Sequence, residues 1–372
     1  MSGGIDSSLT VALMQKLQNQ TKTFTIGYEN KNYDESKFSQ NISEYLNTDH
    51  TSYTFSKNDF LEVIVKVHDV YSEPFADSSQ IPTILLSKIA RKNVKVVLTG
   101  DGGDELFGGY NRYLYANKYF KYIQIFSNFY GVNFFKLLNF IPIKIFSILI
   151  QILTYVSKSE KINNNKLEKI FNKLKHINSK KTFYNSLTRE WPENSNIFNN
   201  NYKNFKDSKF DNLFEKKFNI EDSMMLADFQ SYLTDDILCK VDRASMYSSL
   251  ETRTPFLSHE LIEYSQTIPL SYKINNGITK IILKKILSKY LPEKFFMRPK
   301  AGFAIPISDW MRNDLKNWVN DILSPEICNK HNYFNFQIIQ QLKDEHFKGI
   351  SNHEHKLWSL IQFNNWYLTH ID

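Results

Sequence analysis

Two kinds of short segment alternate along the first 115 residues of the chain. Runs of β-branched and aromatic residues predict strands at residues 22–28, 50–55 and 93–98, and the last run, NVKVVL, predicts a buried strand. Apolar residues at helical spacing predict helices over Ile5–Leu17, Glu35–Leu46, Phe60–His68 and Ile84–Lys92. This alternation predicts an α/β fold built on a doubly wound parallel sheet.

The strand pattern stops after residue 115. Residues 119–157 are apolar at helical spacing, residues 158–212 are rich in Asn, Lys and Ser, and the helical pattern returns at Ser223 with interruptions at prolines. We therefore predict an α/β core over residues 1–115 and a mainly helical region over residues 116–372, packed as one unit.

The composition is that of a soluble globular protein, with 42% hydrophobic and 23% charged residues. The net charge of +7 is spread along the chain, so it does not indicate a nucleic-acid partner. Cys239 and Cys328 are too few for a disulfide framework or a multi-cysteine zinc site and predict small buried side chains. The most apolar run, Phe140–Val156, contains Lys144 and predicts a buried or partner-facing helix and not a membrane span. With no secretory signal pattern, we expect a cytoplasmic protein.

Glycine is scarce, with 12 in 372 residues, yet two short clusters hold most of it. The first cluster lies in the string Ser2-Gly3-Gly4-Ile5-Asp6-Ser7-Ser8 at the start of a predicted helix. Glycines allow a tight turn that directs N–H groups at an anion, and the hydroxyls and the helix N-terminus add to this attraction. Asp6 suits such a site if it holds a metal ion that bridges phosphates. The string predicts a phosphate-binding loop, with a serine-rich N-cap as the alternative.

The second cluster lies in TGDGGDELFGGY, residues 99–110, directly after the predicted buried strand. Its acids, Asp101, Asp104 and Glu105, are costly next to a buried strand unless they meet a cation. The segment does not match the dinucleotide-binding pattern, because Glu105 stands where a third glycine is required. By itself it predicts either a metal-and-phosphate loop or an acidic solvated turn.

These motifs carry a family resemblance. SGGIDSS resembles the pyrophosphate-binding loop of the ATP pyrophosphatase (adenine nucleotide alpha hydrolase-like) superfamily. TGDGGDELFGGYNRY and TFTIGYENKNYDES resemble the glutamine-hydrolysing asparagine synthetase family more narrowly, and DDILCKVDRASMYSSLETRTPFL, GITKIILKKIL and LPEKFFMRPKAGFAIPISDW follow in the family's order. The resemblance covers residues 1–315 and is to the C-terminal synthetase domain of that family.

The resemblance implies ATP and Mg²⁺ as cofactors and aspartate as substrate. The aspartate side chain would be activated as β-aspartyl-AMP with release of pyrophosphate, and ammonia would then displace AMP. The residues that match pyrophosphate-binding positions are Ser2, Gly3, Gly4, Asp6, Ser7 and Ser8. Those that match adenosine-lining positions are Met1, Ile26, Thr99 and Gly100.

The same resemblance implies roles for charged residues. Asp6 and Asp104 match magnesium ligands, and Lys280 matches a lysine that stabilises charge near the α-phosphate. Asp101 stands where the family commonly has a glutamate that handles the ammonia or the intermediate, and aspartate is one methylene shorter. Residues that match further substrate or phosphate positions, with surface salt bridging as the alternative, are Glu105, Lys240, Asp242, Arg243, Arg298 and Lys300.

Full-length members of the family begin with a glutaminase domain whose nucleophile is a cysteine at position two. Here Ser2 belongs to the phosphate loop, so ammonia would come from a separate glutaminase domain or subunit or from solution. The strand that leads into SGGIDSS would be the central strand of the sheet. We therefore expect that Met1 is internal to a longer protein or that the gene is split or truncated, and that the chain folds poorly unless another polypeptide supplies this strand. A homodimer is compatible with the sequence.

Three functions stay open at this point. The first is the synthetase domain of an asparagine synthetase, and the second is a related enzyme that adenylates another carboxylate to form an amide or lactam. The third is an inactive fragment or a nucleotide-binding subunit without turnover. Only the first requires aspartate, and only the third binds ATP without aspartate-dependent release of pyrophosphate.

Overall fold

The computed structural model describes residues 1–18, 20–29, 34–116, 120, 177, 179–192, 195–199, 211–214, 218–297 and 305–372, and the statements below concern these residues. The helices predicted within residues 119–157, including the apolar run Phe140–Val156, lie outside them. No helix in the described part of the chain has the length and apolarity needed to cross a membrane.

Four described strands form two parallel pairs. Strand β1 (Lys22–Tyr28) lies beside β2 (Asp49–Phe55), with Lys22 opposite Asp49. Strand β3 (Val96–Leu98) lies beside β4 (Glu251–Arg253). Parallel pairing agrees with the prediction, but no ladder between the described residues joins the two pairs, so the single doubly wound sheet stays a prediction.

The prediction that β3 is buried is wrong. Val96 and Leu98 are 48% and 38% exposed, while Val97, on the other face, packs against the small cluster of Phe24, Ala90 and Leu250. Because successive side chains of a strand point to opposite faces, only the face of Val97 is covered by described residues.

The helices of the first half agree with the apolar spacing, with shifted ends. They are α1 (Ile5–Leu17), α2 (Ser36–Leu46), α3 (Lys57–Ile64), α4 (Val67–Val70), α5 (Gln80–Arg91), α6 (Gly103–Phe107) and α7 (Asn111–Tyr115). The single helix predicted over Phe60–His68 is two helices, and the first begins earlier because Ser56 and Asp59 form a capping box.

The described part of the second half is mainly helical, as predicted, apart from β4. Its α-helices are Lys180–Thr188, Ile220–Gln230, Cys239–Tyr247, His259–Thr267, Leu270–Lys273, Ile281–Leu287, Ile307–Arg312, Lys316–Ile322, Pro325–His331, Phe336–Phe347 and Glu354–His370. A π-helical segment, Tyr232–Leu238, runs directly into the helix Cys239–Tyr247. Short 3₁₀ turns occupy Asp211–Phe214, Pro255–Leu257 and Glu293–Phe295.

The chain divides into two compact units. One comprises Met1–Tyr110, Ile197–Asn200 and Met225–Asp372, and the other comprises Asn111–Asn196 and Asn201–Met224. This division differs from the boundary placed after residue 115, which stays a prediction. All the described residues of the candidate site lie in the first unit.

One core cluster of the first unit positions the site. Leu9 and Ala12 of α1 pack with Leu283 and Leu287 of the helix Ile281–Leu287. These two helices therefore lie side by side. Asp6 is in the first turn of α1, and Lys280 directly precedes the helix Ile281–Leu287. Cys328 is buried as predicted, whereas Cys239 is only half-buried.

Candidate active site

The first glycine cluster forms a tight turn at the N-terminus of α1. Gly3 has a φ of +72°, which favours glycine, and α1 begins two residues later. The Ser7 hydroxyl donates to the Gly4 carbonyl at 3.2 Å and lies 3.1 Å from the Ser2 hydroxyl. Gly4 is the N-cap residue of α1 and offers no side chain that could accept a bond from the first helical turn. The N–H groups of that turn therefore remain available to an anion.

The two glycine clusters pack directly against each other. A Cβ atom on Gly100 would lie 2.9 Å from the Ser7 nitrogen, and one on Gly103 would lie 2.6 Å from a carboxylate oxygen of Asp6. Both distances are shorter than a Cβ atom tolerates, so these glycines are what permits the close approach of the loops. The second loop also continues the β3–β4 pairing, since Thr99 N donates to the Arg253 carbonyl at 2.9 Å.

Lys280 joins the two loops. Its ammonium group forms ion pairs with Asp6 and with Asp104, the second at 2.6 Å. The whole residue is only 3% exposed. Burial lowers the pKa of Lys280, but the charges of Asp6 and Asp104 outweigh burial and the net pKa is raised. Lys280 is therefore a permanent cation between two carboxylates of the first third of the sequence, and it lies 274 positions from Asp6.

Gly109 completes the enclosure of this ion pair. A Cβ atom there would lie 1.8 Å from Asp104 Oδ1 and 2.1 Å from Lys280 Cε. Gly109 N also donates to the Asp104 carbonyl at 2.8 Å. A side chain of any kind at position 109 would displace Asp104 or Lys280.

The donor set suits the magnesium ion that the resemblance implies. Mg²⁺ is usually held by one or two carboxylates, with phosphate oxygens and waters completing its shell. Asp6 and Asp104 supply two carboxylates around a point that already attracts a cation, the Lys280 ammonium group. Among the described residues no group of three or more acidic, histidine or cysteine side chains is arranged to hold a metal by itself.

Asp101 lies on the same loop. Burial raises the pKa of its carboxyl group; the Thr99 hydroxyl and the positive charge of Lys240 oppose the rise, and the charges of Asp6 and Asp104 reinforce it. Its Oδ2 atom is buried without a hydrogen-bond partner in the described part of the chain. A carboxylate in this condition favours uptake of a proton.

Glu105 is buried and hydrogen-bonded within the second glycine loop. It is 3% exposed and accepts a hydrogen bond of 2.5 Å from the Tyr110 hydroxyl. Burial raises the pKa of Glu105 to about 7, although the bond from Tyr110 opposes the rise. This geometry suits a residue that holds the loop in place better than it suits a residue that contacts a substrate.

Lys240 belongs to a second buried ion-pair cluster. Its ammonium group pairs with Asp77 and lies 3.8 Å from Asp236 Oδ1, and its carbonyl accepts a 3.1 Å hydrogen bond from Tyr71. Burial raises the pKa of Asp77, but the charge of Lys240 and the hydrogen bonds from Lys240 and Ser79 together lower it. Burial and the charge of Asp77 raise the pKa of Asp236. Since the charge of Lys240 also acts on Asp101, the second cluster adjoins the first.

Asp242 and Arg243 line a pocket of about 440 Å³ together with Thr252 and Thr254. Arg243 pairs with Glu73 at 3.1 Å, which is the salt-bridge alternative considered for it. Arg298 and Lys300 lie outside the described residues.

The remaining predicted residues divide by burial. Met1 and Thr99 are half-buried, but Ile26 is 5% exposed inside β1. Ser8 is fully buried, and its hydroxyl has no hydrogen-bond partner among the described residues. Ile26 and Ser8 are therefore shielded from solvent, and the roles assigned to them stay predictions.

Sequence reasoning missed three contributors, Asp77, Asp236 and Gly109. Asp77 accepts a 2.8 Å bond from Ser79 N at the start of α5, so the segment DSSQIP carried a helix-start signal. Asp236 follows another acid shortly before Lys240, and Gly109 belonged to the glycine cluster already singled out.

The chain is similar in sequence to a known family and to several known proteins. The family described as "Asparagine synthase" matches residues 1–368. The chain is 27% identical, over its whole length, to asparagine synthetase [glutamine-hydrolyzing] 1 of Bacillus subtilis, of which the match covers 56%. It is also 27% identical, over its whole length, to a putative asparagine synthetase of Mycobacterium bovis, of which 54% is covered. A putative asparagine synthetase of Methanocaldococcus jannaschii is 47% identical over 116 residues, 31% of the chain and 22% of that protein. The chain thus spans about half the length of the full-length relatives that it matches.

Proposed function

The chain belongs to the asparagine synthase family, and we propose that it is the synthetase part of an ATP-dependent ligase that converts the side-chain carboxylate of aspartate to an amide. The relatives named above are glutamine-hydrolysing asparagine synthetases, which form a C–N bond. The proposal includes an α/β core of the ATP pyrophosphatase type over residues 1–115, with the strands of the two parallel pairs forming part of one sheet.

The observation that carries the proposal is the convergence of three distant segments on one point. The loop before α1, the loop after β3 and Lys280 meet through the ion pairs of Lys280 with Asp6 and Asp104. Such a site offers backbone N–H groups for phosphates, carboxylates for a metal and one fixed cation, the combination that transfer at a phosphate requires.

In the first half-reaction, a side-chain oxygen of aspartate attacks the α-phosphorus of ATP, and pyrophosphate leaves. The N–H groups at the start of α1 and the hydroxyls of Ser2 and Ser7 would bind the departing pyrophosphate. Lys280 would stabilise negative charge that develops near the α-phosphate. The product is β-aspartyl-AMP.

Asp6 and Asp104 would hold the Mg²⁺ ion, which, when bound, neutralises charge on the pyrophosphate. Their spacing is maintained by Gly103 and Gly109, which leave no room for a side chain next to either carboxylate. Lys240, held by Asp77 and Asp236, would contribute a second cation close to Asp101.

In the second half-reaction, ammonia attacks the acyl carbon, AMP leaves and one proton must be removed from nitrogen. Asp101 suits this task, because burial raises the pKa of its carboxyl group and thereby its affinity for a proton. Ammonia would come from a glutaminase domain or subunit, or from solution.

The test is release of pyrophosphate by the purified chain with ATP, Mg²⁺, aspartate and ammonium. We expect release that depends on aspartate and is lost in Asp6→Ala. Asp321→Ala is the matched control, since Asp321 is an exposed aspartate of the helix Lys316–Ile322 and belongs to neither glycine loop.

The outcomes separate the competing functions. Release with another carboxylic acid but not with aspartate would indicate a related amide- or lactam-forming enzyme. Binding of ATP without release under any of these conditions would contradict the proposal and indicate a nucleotide-binding chain without turnover.

A further inference from the structure

We propose that Lys280 is an internal substitute for the metal ion: in the nucleotide-free chain its ammonium group occupies the cation position between Asp6 and Asp104, and it leaves that position when a divalent metal and nucleotide bind. The inference rests on the proposed function only in that the chain binds a metal–nucleotide complex. It concerns what the chain's own residues do before catalysis.

The geometry identifies one position for two cations. The ammonium group contacts both carboxylates, and it lies 2.6 Å from Asp104 Oδ1. A magnesium ion would need carboxylate oxygens at about 2.0–2.1 Å. An ammonium group and a divalent ion in contact with the same two carboxylates would repel each other strongly, so the arrival of the metal favours the departure of the ammonium group.

Electrostatics explains why a substitute is needed. Two buried carboxylates that share a site repel each other unless a cation lies between them. Lys280 supplies that cation in the absence of metal. The carboxylates are thereby held in position for the metal.

The surroundings hold Lys280 in this place. Its backbone has a φ of +52°, in the left-handed region that residues other than glycine rarely adopt. Gly109 lies directly against its Cε atom, where any larger residue would block the path of the side chain. Such a conformation persists only where the surrounding structure imposes it, and it is typical of functional positions.

Displacement gives Lys280 a second position. A metal–nucleotide complex brings two positive charges to the carboxylates and negative phosphate oxygens beside them. The released ammonium group would move from carboxylate to phosphate oxygens, which is where the α-phosphate role requires it. One side chain thus serves as counter-ion before binding and as phosphate ligand afterwards.

The direct test measures the affinity of the nucleotide-free chain for Mn²⁺ by electron paramagnetic resonance. Lys280→Met removes the competing charge, so we expect it to bind Mn²⁺ at least tenfold more tightly than the unaltered chain, a conservative figure for one unit charge a few ångströms away. The matched control is Lys285→Met, because Lys285 lies on the same helix with its side chain exposed. Equal affinities of Lys280→Met and the unaltered chain would overturn the proposal.

A second measurement uses the unaltered chain and does not depend on the folding of a variant. Crystal structures are determined with and without Mg²⁺ and α,β-methylene-ATP, an analogue that cannot release pyrophosphate. We expect Lys280 Nζ to contact both carboxylates without the ligand and a phosphate oxygen with it. A bound complex that leaves Nζ on both carboxylates, or a chain that binds no divalent ion at all, would contradict the proposal.

Neither measurement involves aspartate, ammonia or turnover. A chain in which metal replaces Lys280 but aspartate does not stimulate pyrophosphate release would keep this inference and lose the proposed function. The reverse result, turnover with Lys280 fixed on both carboxylates, would keep the function and lose the inference.

Discussion

The two buried lysines of the candidate site each pair with two carboxylates. Lys280 lies between Asp6 and Asp104, and Lys240 lies between Asp77 and Asp236. Burial penalises an unpaired ion heavily, so removal of one member leaves the others in an unfavourable state. The sensitivity of the site to single substitutions follows from this arrangement.

Gly109 is the residue at which this sensitivity is greatest. In Gly109→Ala the new methyl group overlaps Asp104 and Lys280, so we expect the free energy of unfolding to fall by about 3–5 kcal/mol, the usual cost of breaking a buried ion pair. Unfolding in urea measures the loss.

The matched control is Gly349→Ala. Gly349 has a φ of +69°, but a Cβ atom there would have no atom within 4 Å. Its substitution therefore costs only backbone strain, about 1–2 kcal/mol. A loss in Gly109→Ala no larger than this would mean that the ion pair can rearrange freely.

His346 makes folding sensitive to acid. It is fully buried, and burial, with the charge of Arg312, lowers its pKa from 6.5 to about 4. At pH values between 4 and 6.5 the unfolded chain binds a proton at this histidine more tightly than the folded chain does. The contribution of His346 to the free energy of unfolding is therefore fully present above pH 6.5 and is lost as the pH falls toward 4. The loss amounts to about 3 kcal/mol at most.

We expect His346→Asn to remove this part of the pH dependence. Asparagine can still accept the bond that His353 N donates to Nδ1, at 3.1 Å in the unaltered chain. Unfolding in urea at a series of pH values between 4 and 7 measures the slope, and His355→Asn is the control because that side chain is 63% exposed. An unchanged slope in His346→Asn would show that other groups carry the acid sensitivity.

At the scale of the elements, one asparagine of the C-terminal helix Glu354–His370 forms hydrogen bonds with two neighbouring helices. Asn364 is fully buried, its amide group donates to the Ile322 carbonyl at 2.8 Å, and its oxygen lies 3.0 Å from His331 Nε2. One side chain thus links the ends of the helices Lys316–Ile322 and Pro325–His331 to the C-terminal helix.

Asn364→Leu should lower the free energy of unfolding by about 2 kcal/mol, because it leaves a buried carbonyl and a buried imidazole nitrogen without this partner. The adjacent Asn365→Leu should change it by at most about 0.5 kcal/mol, since Asn365 is only half-buried. Thermal unfolding of the two variants gives the comparison, and equal losses would contradict this role of Asn364.

The sequence predicted elements whose signal is local. Helix α1 has the predicted bounds, and strand β1 lies at the predicted run of β-branched and aromatic residues, six of whose seven positions are buried. Helix α5 begins before the predicted Ile84 because Pro82 is tolerated in a first turn. Strand β4, with the exposed sequence Glu-Thr-Arg, had no strand signal to detect.

The candidate site was predictable to the extent that its residues cluster in sequence. Both glycine loops were found from composition, whereas the pairing of Lys280 with Asp6 spans 274 positions and that of Lys240 with Asp77 spans 163. Such pairings depend on how helices pack, and no local pattern encodes them. The family resemblance supplied Lys280, Asp6 and Asp104, but not the ion pairs between them.

At the scale of the whole molecule, the site draws on residues 1–8, 99–110 and 280 within one compact unit. A ligand that contacts all three segments stabilises the folded unit relative to the unfolded chain by mass action. At 100 times its dissociation constant, Mg²⁺–ATP should add about 2.7 kcal/mol. The unfolding midpoint should therefore rise with ligand concentration in the unaltered chain but not in Asp6→Ala, and a rise of equal size in both would place the nucleotide elsewhere.

The central claim, that this chain activates aspartate as β-aspartyl-AMP, is tested most directly by isotope transfer. Aspartate labelled with ¹⁸O in its side-chain carboxylate is incubated with the chain, ATP, Mg²⁺ and ammonium, and the products are separated for mass spectrometry. The account predicts one ¹⁸O atom in the phosphate of AMP, because the carboxylate oxygen that attacks the α-phosphorus stays there when ammonia displaces AMP. Formation of AMP without the label, or the appearance of ¹⁸O in pyrophosphate or inorganic phosphate, would contradict it.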